Sequence, residues 1–162
     1  MSGVGERRDW YVASWPPLAW VETCLKAAGI LVGVAALLTA LDAPADRATG
    51  WRLAAVVLLA ALSLGLVAAI ADRVAEREVV GVVFVLAMNV GHWGMTVALF
   101  RDSLPGLLVA FAALMLAGDL VKLVFLARSG FTVRNVPREV VYALTGAYAL
   151  GYAALILMAA AV

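Results

Sequence analysis

The sequence predicts an all-α integral membrane protein, a polytopic bundle of five transmembrane helices with a cytoplasmic N-terminus. Of its 162 residues, 65% are hydrophobic, whereas soluble domains contain roughly 45–50% apolar residues. The excess is gathered into five blocks, each near the roughly 20 apolar residues that a helix needs to cross a bilayer. Positively charged residues outside these blocks lie mainly on one side, which predicts the orientation.

Short polar segments rich in proline, glycine or charged residues separate the blocks, and such segments end membrane helices. One of them is "LDAPADRATG" at 41–50. We expect residues 1–17 to form an interfacial segment and residues 18–162 to form a single five-helix transmembrane domain. The predicted spans are 18–41, 51–71, 79–100, 105–126 and 140–162.

The orientation follows from the arginines in the loops and at the ends of the apolar blocks. Seven lie on the side of the N-terminus and three on the opposite side. Because Lys and Arg are enriched in cytoplasmic loops, the N-terminus is predicted to be cytoplasmic and the C-terminus external. We expect a multi-pass protein of a cell membrane, with the prokaryotic plasma membrane as the favoured location. Alternatively, Arg7, Arg8 and the apolar stretch 27–41 resemble a secretory signal that would be cleaved.

The segment "WYVASWPPLAW" at 10–20 is rich in aromatic residues. Trp and Tyr favour the headgroup zone, and proline suits the start of a helix, so interfacial anchoring is expected. A ligand-contacting role is the alternative. The Trp-Pro-Pro element and the five spans resemble the tryptophan-rich sensory proteins, the translocator-protein family. In that family the element follows the first span, whereas here it precedes it, so the resemblance assigns no functional residue.

The apolar stretch "LMLAGDLVKLVFL" at 114–126 carries two charged residues. Charges inside a membrane span are costly and normally face other protein groups. At about 1.5 Å of rise per residue, Lys26 and Asp119 both lie ~5 Å to the cytoplasmic side of the midplane, and Glu22 and Lys122 lie ~10–11 Å to that side. Opposite charges therefore coincide at two depths. This predicts a four-charge cluster that joins the first and fourth helices.

Three interpretations of the cluster stay open: a buried salt-bridge clasp, a site for a charged solute or proton, or outward snorkelling of Glu22 and Lys122. A stripe along the first span also carries small residues at the Gly29-x-x-x-Gly33 spacing, which lets helices approach closely. The stripe that includes the charges is therefore expected to be buried in protein. Its members are Glu22, Lys26, Gly29, Gly33 and Ala36.

The third and fifth spans each carry a polar arc, of about 100° and about 120°. The first arc consists of Asn89, His92, Trp93 and Thr96, and the second of Tyr142, Thr145, Tyr148, Ala149 and Tyr152. For Asn89 and His92 the alternatives are interhelical hydrogen bonding, a ligand or proton site, and cofactor ligation. The second span offers only Ser63 and Gly65 and is expected to be structural or lipid-facing.

The predicted ligand-binding or polar-core site comprises nine residues: Glu22, Lys26, Asn89, His92, Trp93, Asp119, Lys122, Thr145 and Tyr148. No catalytic residue, metal site or cofactor is expected. The single cysteine and single histidine lie on distant segments, which is poor material for a metal site. The sequence also contains no glycine-rich phosphate-binding loop.

These observations predict a small non-catalytic membrane protein, an accessory or ligand-binding component that is a homo-oligomer or a subunit of a larger complex. The alternative is a small transporter or proton-coupled carrier that uses the intramembrane charges and His92. The expected partners include the lipid bilayer and, at the basic segment 128–138, anionic lipids. A net charge of +1 argues against a nucleic-acid surface.

Overall fold

The five predicted helices are present. The computed structural model describes residues 15–43, 48–75, 79–129 and 136–161, which are helical apart from short connections. Each of the five helices in these ranges is long and apolar enough to cross a membrane. They are α1 (Pro17–Leu41), α2 (Trp51–Ala75), α3 (Val79–Arg101), α4 (Pro105–Ser129) and α5 (Arg138–Ala160).

Several helices extend beyond the apolar blocks. Helix α2 continues to Ala75 and α4 to Ser129, and α5 begins at Arg138, two residues earlier than predicted. Backbone hydrogen bonding continues into the polar residues that flank a hydrocarbon core, so hydropathy marks the apolar part and not the whole helix. The structure does not describe residues 1–14 of the predicted interfacial segment or residues 130–135 of the basic segment.

The helix starts follow local backbone chemistry. Pro16 and Pro17 begin α1, and Pro137 immediately precedes α5. Proline is tolerated there because the first turn of a helix needs no intrahelical N–H donor. Gly50, just before α2, has a φ of 56°, in the left-handed region that glycine adopts at little cost.

The helices form a closed ring. Within the described residues each helix packs against two others, in the order α1, α3, α2, α5, α4 and back to α1. Helices α1 and α3 run parallel, since Ile30 lies beside Gly91 and Arg101 binds the carbonyl of Leu41. The centre of the ring is therefore reached by side chains from several helices.

Glycines bring the backbones of α1 and α3 into direct contact. A Cβ atom on Gly33 would overlap the carbonyl oxygen of Gly91, and one on Gly94 would lie 2.6 Å from the carbonyl oxygen of Gly33. Side chains cannot occupy such short separations. The expected burial of this stripe of α1 is observed, because Lys26, Gly29, Gly33 and Ala36 are all buried.

The exposed and buried surfaces are distributed as expected for a protein surrounded by lipid. Leu150 is 73% exposed and Leu31 is 69% exposed, whereas Lys26, His92 and Asp119 are buried. Water-soluble proteins show the opposite preference, because buried charge is costly and exposed apolar surface is unfavourable in water. Together with the five apolar helices, this distribution indicates a multi-pass membrane protein.

Two arginines bind the C-terminal ends of neighbouring helices. Arg101, at the end of α3, donates hydrogen bonds of 3.2 Å to the carbonyl oxygens of Leu41 and Ala43 at the end of α1. Arg138 donates to the carbonyl oxygen of Leu126 near the end of α4. The last carbonyls of a helix lack intrahelical donors and carry partial negative charge, so a guanidinium group satisfies them.

Candidate functional site

The centre of the candidate site is a buried ionic triad. Lys26 Nζ lies 2.7 Å from Glu22 Oε1 and 2.8 Å from Asp119 Oδ1. Glu22 is one turn away on α1, whereas Asp119 is on α4. Lys26 is 3% exposed and Asp119 is 4% exposed. The pair that equal depths predicted, Lys26 with Asp119, is therefore present and links the two helices.

Gly118 makes room for this contact. A Cβ atom at Gly118 would lie 2.9 Å from Cγ and 3.2 Å from Cε of Lys26. The lysine stem therefore runs across Gly118 before its ammonium group reaches Asp119. In the stretch "GDLVK", Gly118 leaves room for the aliphatic part of the Lys26 side chain, and Asp119 binds its ammonium group.

The second predicted pair, Glu22 with Lys122, stays a prediction. The carboxylate of Glu22 accepts a hydrogen bond from Lys26 on its own helix, a contact that the (i, i+4) spacing allows. Its side chain is 15% exposed, the most exposed of the triad. Lys122 is partly exposed and lies within electrostatic range of Asp119.

Only one of the two carboxylate oxygens of Asp119 has a bonding partner in the structure. Its Oδ1 atom binds Lys26, but its Oδ2 atom is buried and has no hydrogen-bond partner in the structure. Tyr148 and Tyr152 on α5 lie within electrostatic range of the carboxylate. A buried carboxylate oxygen without a donor carries a substantial desolvation cost. This atom is the chemically least satisfied part of the triad.

His92 occupies the centre of the ring. Its Nδ1 atom lies 2.7 Å from the Met88 carbonyl oxygen, and its Nε2 atom lies 2.8 Å from the Tyr152 hydroxyl oxygen. A carbonyl can only accept, so we assign the ring proton to Nδ1, and Nε2 then accepts from Tyr152. Phe111 of α4 packs edge-on against the imidazole, with the ring centroids 5.2 Å apart. One neutral imidazole thus brings three helices together.

Asn89 makes an equivalent link to α2. Its Nδ2 atom donates to the Val85 carbonyl oxygen at 3.0 Å, and its Oδ1 atom accepts from Ser63 at 2.5 Å. Both Asn89 and His92 therefore bond through one polar atom to the preceding turn of α3 and through the other to a different helix. Ser63 is fully buried, so α2 contributes one polar side chain to the core, where it joins α2 to α3.

Trp93 does not belong to the polar core. It is 46% exposed, on the outer face of α3. Successive residues on a helix are turned by about 100°, so with His92 facing the centre its neighbour is carried towards the outside. Trp93 is therefore not part of the buried polar core, and a ligand-binding role for it on the outer face of α3 stays a prediction.

The two predicted residues of α5 have different surroundings. Thr145 is buried and donates a hydrogen bond to Val141 on its own helix. The Tyr148 hydroxyl donates to the Leu62 carbonyl oxygen of α2 at 2.7 Å, in space that the absence of a side chain on Gly65 leaves free. Tyr148 therefore joins α5 to α2, whereas the hydrogen bond of Thr145 stays within α5.

Three contributors escaped the sequence interpretation as site residues: Ser63, Gly118 and Tyr152. The predicted arc of α5 already contains Tyr152, one turn beyond Tyr148, so the signal for it was present although it is not among the nine predicted site residues. Ser63 and Asn89 both lie near the middle of their helices, so the depth comparison that paired the charges could also have paired them. Gly118 left no such signal, because an isolated glycine reveals its neighbour only in the folded bundle.

The described residues contain no group of three His, Cys, Asp or Glu side chains that could hold a metal ion. Comparison of the chain with protein-family models, with curated proteins and with solved structures finds no match. The chemistry of the site therefore has to be argued from its own residues.

Proposed function

We propose that this chain is a small non-catalytic integral membrane protein, an accessory or ligand-binding component that works as a homo-oligomer or within a larger membrane complex. The supporting observation is that its buried polar side chains join helices to one another. Lys26 and Asp119 join α1 to α4. Ser63 and Asn89 join α2 to α3, and His92 and Tyr152 join α3 to α5.

The surroundings of His92 also support a non-catalytic role. The imidazole is fully buried, and both of its nitrogen atoms are hydrogen-bonded. A general base must reach the proton that it abstracts, directly or through one water molecule. With Phe111 packed against the ring and Tyr152 bound to Nε2, a substrate would have to displace core side chains to reach it.

The outer surface suits partners within the membrane. Large apolar side chains cover it, among them Leu31, Leu64, Leu150 and Leu157. In the proposed arrangement these faces contact lipid and the helices of a second copy or another subunit. The N-terminus is cytoplasmic and the location is the prokaryotic plasma membrane.

The test is purification of the tagged full-length protein from native membranes in mild detergent, followed by native mass spectrometry. We expect a second copy, a stoichiometric protein partner or a bound small molecule. Isolation as a bare monomer after cross-linking in intact membranes would contradict the proposal. If a small molecule is found, the Lys26→Met/Asp119→Asn double variant tests whether the triad holds it.

A second candidate, a proton-coupled carrier, is favoured by one observation: Asp119 Oδ2 is buried without a hydrogen-bond partner. Ionisable residues within membrane helices often form part of proton pathways. The purified protein reconstituted in vesicles that contain a pH-sensitive dye tests this candidate. Dissipation of an imposed pH gradient by the wild type, and not by the Asp119→Asn variant, would support it.

A further inference from the structure

We infer that the triad of Glu22, Lys26 and Asp119 is a proton-binding site, in which Asp119 takes up one proton on Oδ2 and Glu22 remains as the carboxylate partner of Lys26. A carrier requires such a site, and a component without transport activity can also contain one. The inference is therefore independent of the non-catalytic function, whereas the carrier function depends on it.

The charge balance of the triad supports proton uptake. Two carboxylates share a single ammonium group, at 2.7 and 2.8 Å, so the triad carries one net negative charge. Lys26 and Asp119 are almost completely buried. Net charge away from water is costly, and protonation of one carboxylate removes it. Of the two carboxylates, Asp119 is the more buried and has the unpartnered oxygen.

The same geometry selects a proton over a metal cation. Hard cations such as Ca²⁺ and Mg²⁺ are held by about six or more oxygen ligands. Among the described residues, the triad presents one unpartnered buried oxygen, and an ammonium group already occupies the adjacent carboxylate oxygen. A proton forms one O–H bond and needs no further ligands.

Groups on every packed helix act on Asp119. Lys26 on α1 and Lys122 on α4 are positive and favour the carboxylate, whereas the negative charge of Glu22 favours the acid. Tyr148 and Tyr152 approach the carboxylate from α5. From α3, His92 lies within electrostatic range of Lys26 and adds no charge in its neutral form.

Because the negative charge of Glu22 favours the acid form of Asp119, removal of that charge should make protonation of Asp119 more difficult.

The test is infrared difference spectroscopy of the full-length protein in lipid vesicles between neutral and acidic pH. We expect acidification to produce the C=O stretching band of a protonated, buried carboxyl group. The band should vanish in Asp119→Asn and persist in Asp42→Asn, a matched control at an exposed aspartate. Glu22→Gln should keep the band but shift its midpoint to lower pH, an effect that a purely structural role for Asp119 would not produce.

If Asp119→Asn does not fold, wild-type protein labelled with ¹³C at the aspartate carboxyl keeps the test decisive. An isotope shift of the buried-carboxyl band assigns it to aspartate, and a band without that shift excludes aspartate and overturns the inference. Absence of the band at every pH at which the fold is retained also overturns it, as does persistence in Asp119→Asn. None of these results bears on the non-catalytic function, which native mass spectrometry tests separately.

Discussion

Lys26 of α1 and Asp119 of α4 form a 2.8 Å ion pair that is almost completely removed from the surroundings of the bundle. Such a pair gives modest net stability, because desolvation of both charges offsets their attraction. Removal of Lys26 is nevertheless expensive, because the buried Asp119 carboxylate is then left without an opposite charge, whereas removal of Asp119 leaves Lys26 paired with Glu22. This asymmetry allows the pair to be tested by paired substitutions.

We predict that Lys26→Ala sharply lowers the folded yield, by about 3–5 kcal/mol of stability, because the Asp119 carboxylate is then left buried without its ammonium partner. Asp119→Ala should cost less, because Lys26 keeps its ion pair with Glu22. Replacement of both Lys26 and Asp119 by apolar side chains should restore much of the yield lost in Lys26→Ala, because only the charge of Glu22, the most exposed member of the triad, is left. Size-exclusion chromatography and thermal unfolding in detergent measure both effects. A double variant that folds and is inactive would show that the pair is functional, and one that folds and is active would show a purely structural clasp.

Glu22→Gln is the matched control for this experiment. Glu22 is the most exposed member of the triad, and its removal leaves Lys26 paired with Asp119. The loss of stability should therefore be much smaller than for Lys26→Ala. Wild-type stability of Lys26→Ala would contradict the paired geometry.

A second prediction concerns the hydroxyl group of Tyr152. Tyr152→Phe removes the donor to His92 Nε2 and should cost about 1 kcal/mol. Tyr148→Phe is the matched comparison, because its acceptor, the Leu62 carbonyl, lies within α2 and can keep its intrahelical hydrogen bond. Tyr148→Phe should therefore cost less. Equal unfolding temperatures for wild type and Tyr152→Phe would show that this hydrogen bond contributes nothing to stability.

A third prediction concerns the contact between α1 and α3. Gly33→Ala would place a methyl group against the Gly91 carbonyl oxygen and should destabilise the bundle by roughly 1–3 kcal/mol through overpacking. Gly146→Ala has nothing within 4 Å of the added atom, so it should be neutral or stabilising by up to about 1 kcal/mol. Thermal unfolding of the two variants in the same detergent is the measurement. Similar behaviour would exclude close backbone packing at Gly33.

A fourth prediction concerns topology. The arginine asymmetry predicts a cytoplasmic N-terminus and an external Val162, so a reporter active only in the cytoplasm should work at the N-terminus and fail at Val162. The reverse result would invert the orientation. Intact mass spectrometry of the purified chain adds a check on the first span, because loss of its first 45 or so residues would remove both Glu22 and Lys26.

The number of helices, their approximate ends and the depth of each charged residue were all available from the sequence. Hydrophobic length is set by the bilayer, and the rise per residue converts position into depth. These two rules are enough to predict that Lys26 and Asp119 lie at the same depth in the bilayer. They say nothing about how far each helix is rotated about its own axis, or about which helices are neighbours.

The rotation of each helix about its axis and the identity of its neighbours are decided by tertiary packing. Contact of the α1 and α3 backbones at Gly33, Gly91 and Gly94 sets how these helices meet, with His92 turned to the centre and Trp93 outwards. The ring order places α2 beside α3, so Ser63 finds Asn89. Depth alone does not show whether a residue faces lipid or protein, because residues at the same depth can face either. Side-chain packing among all five helices makes that choice.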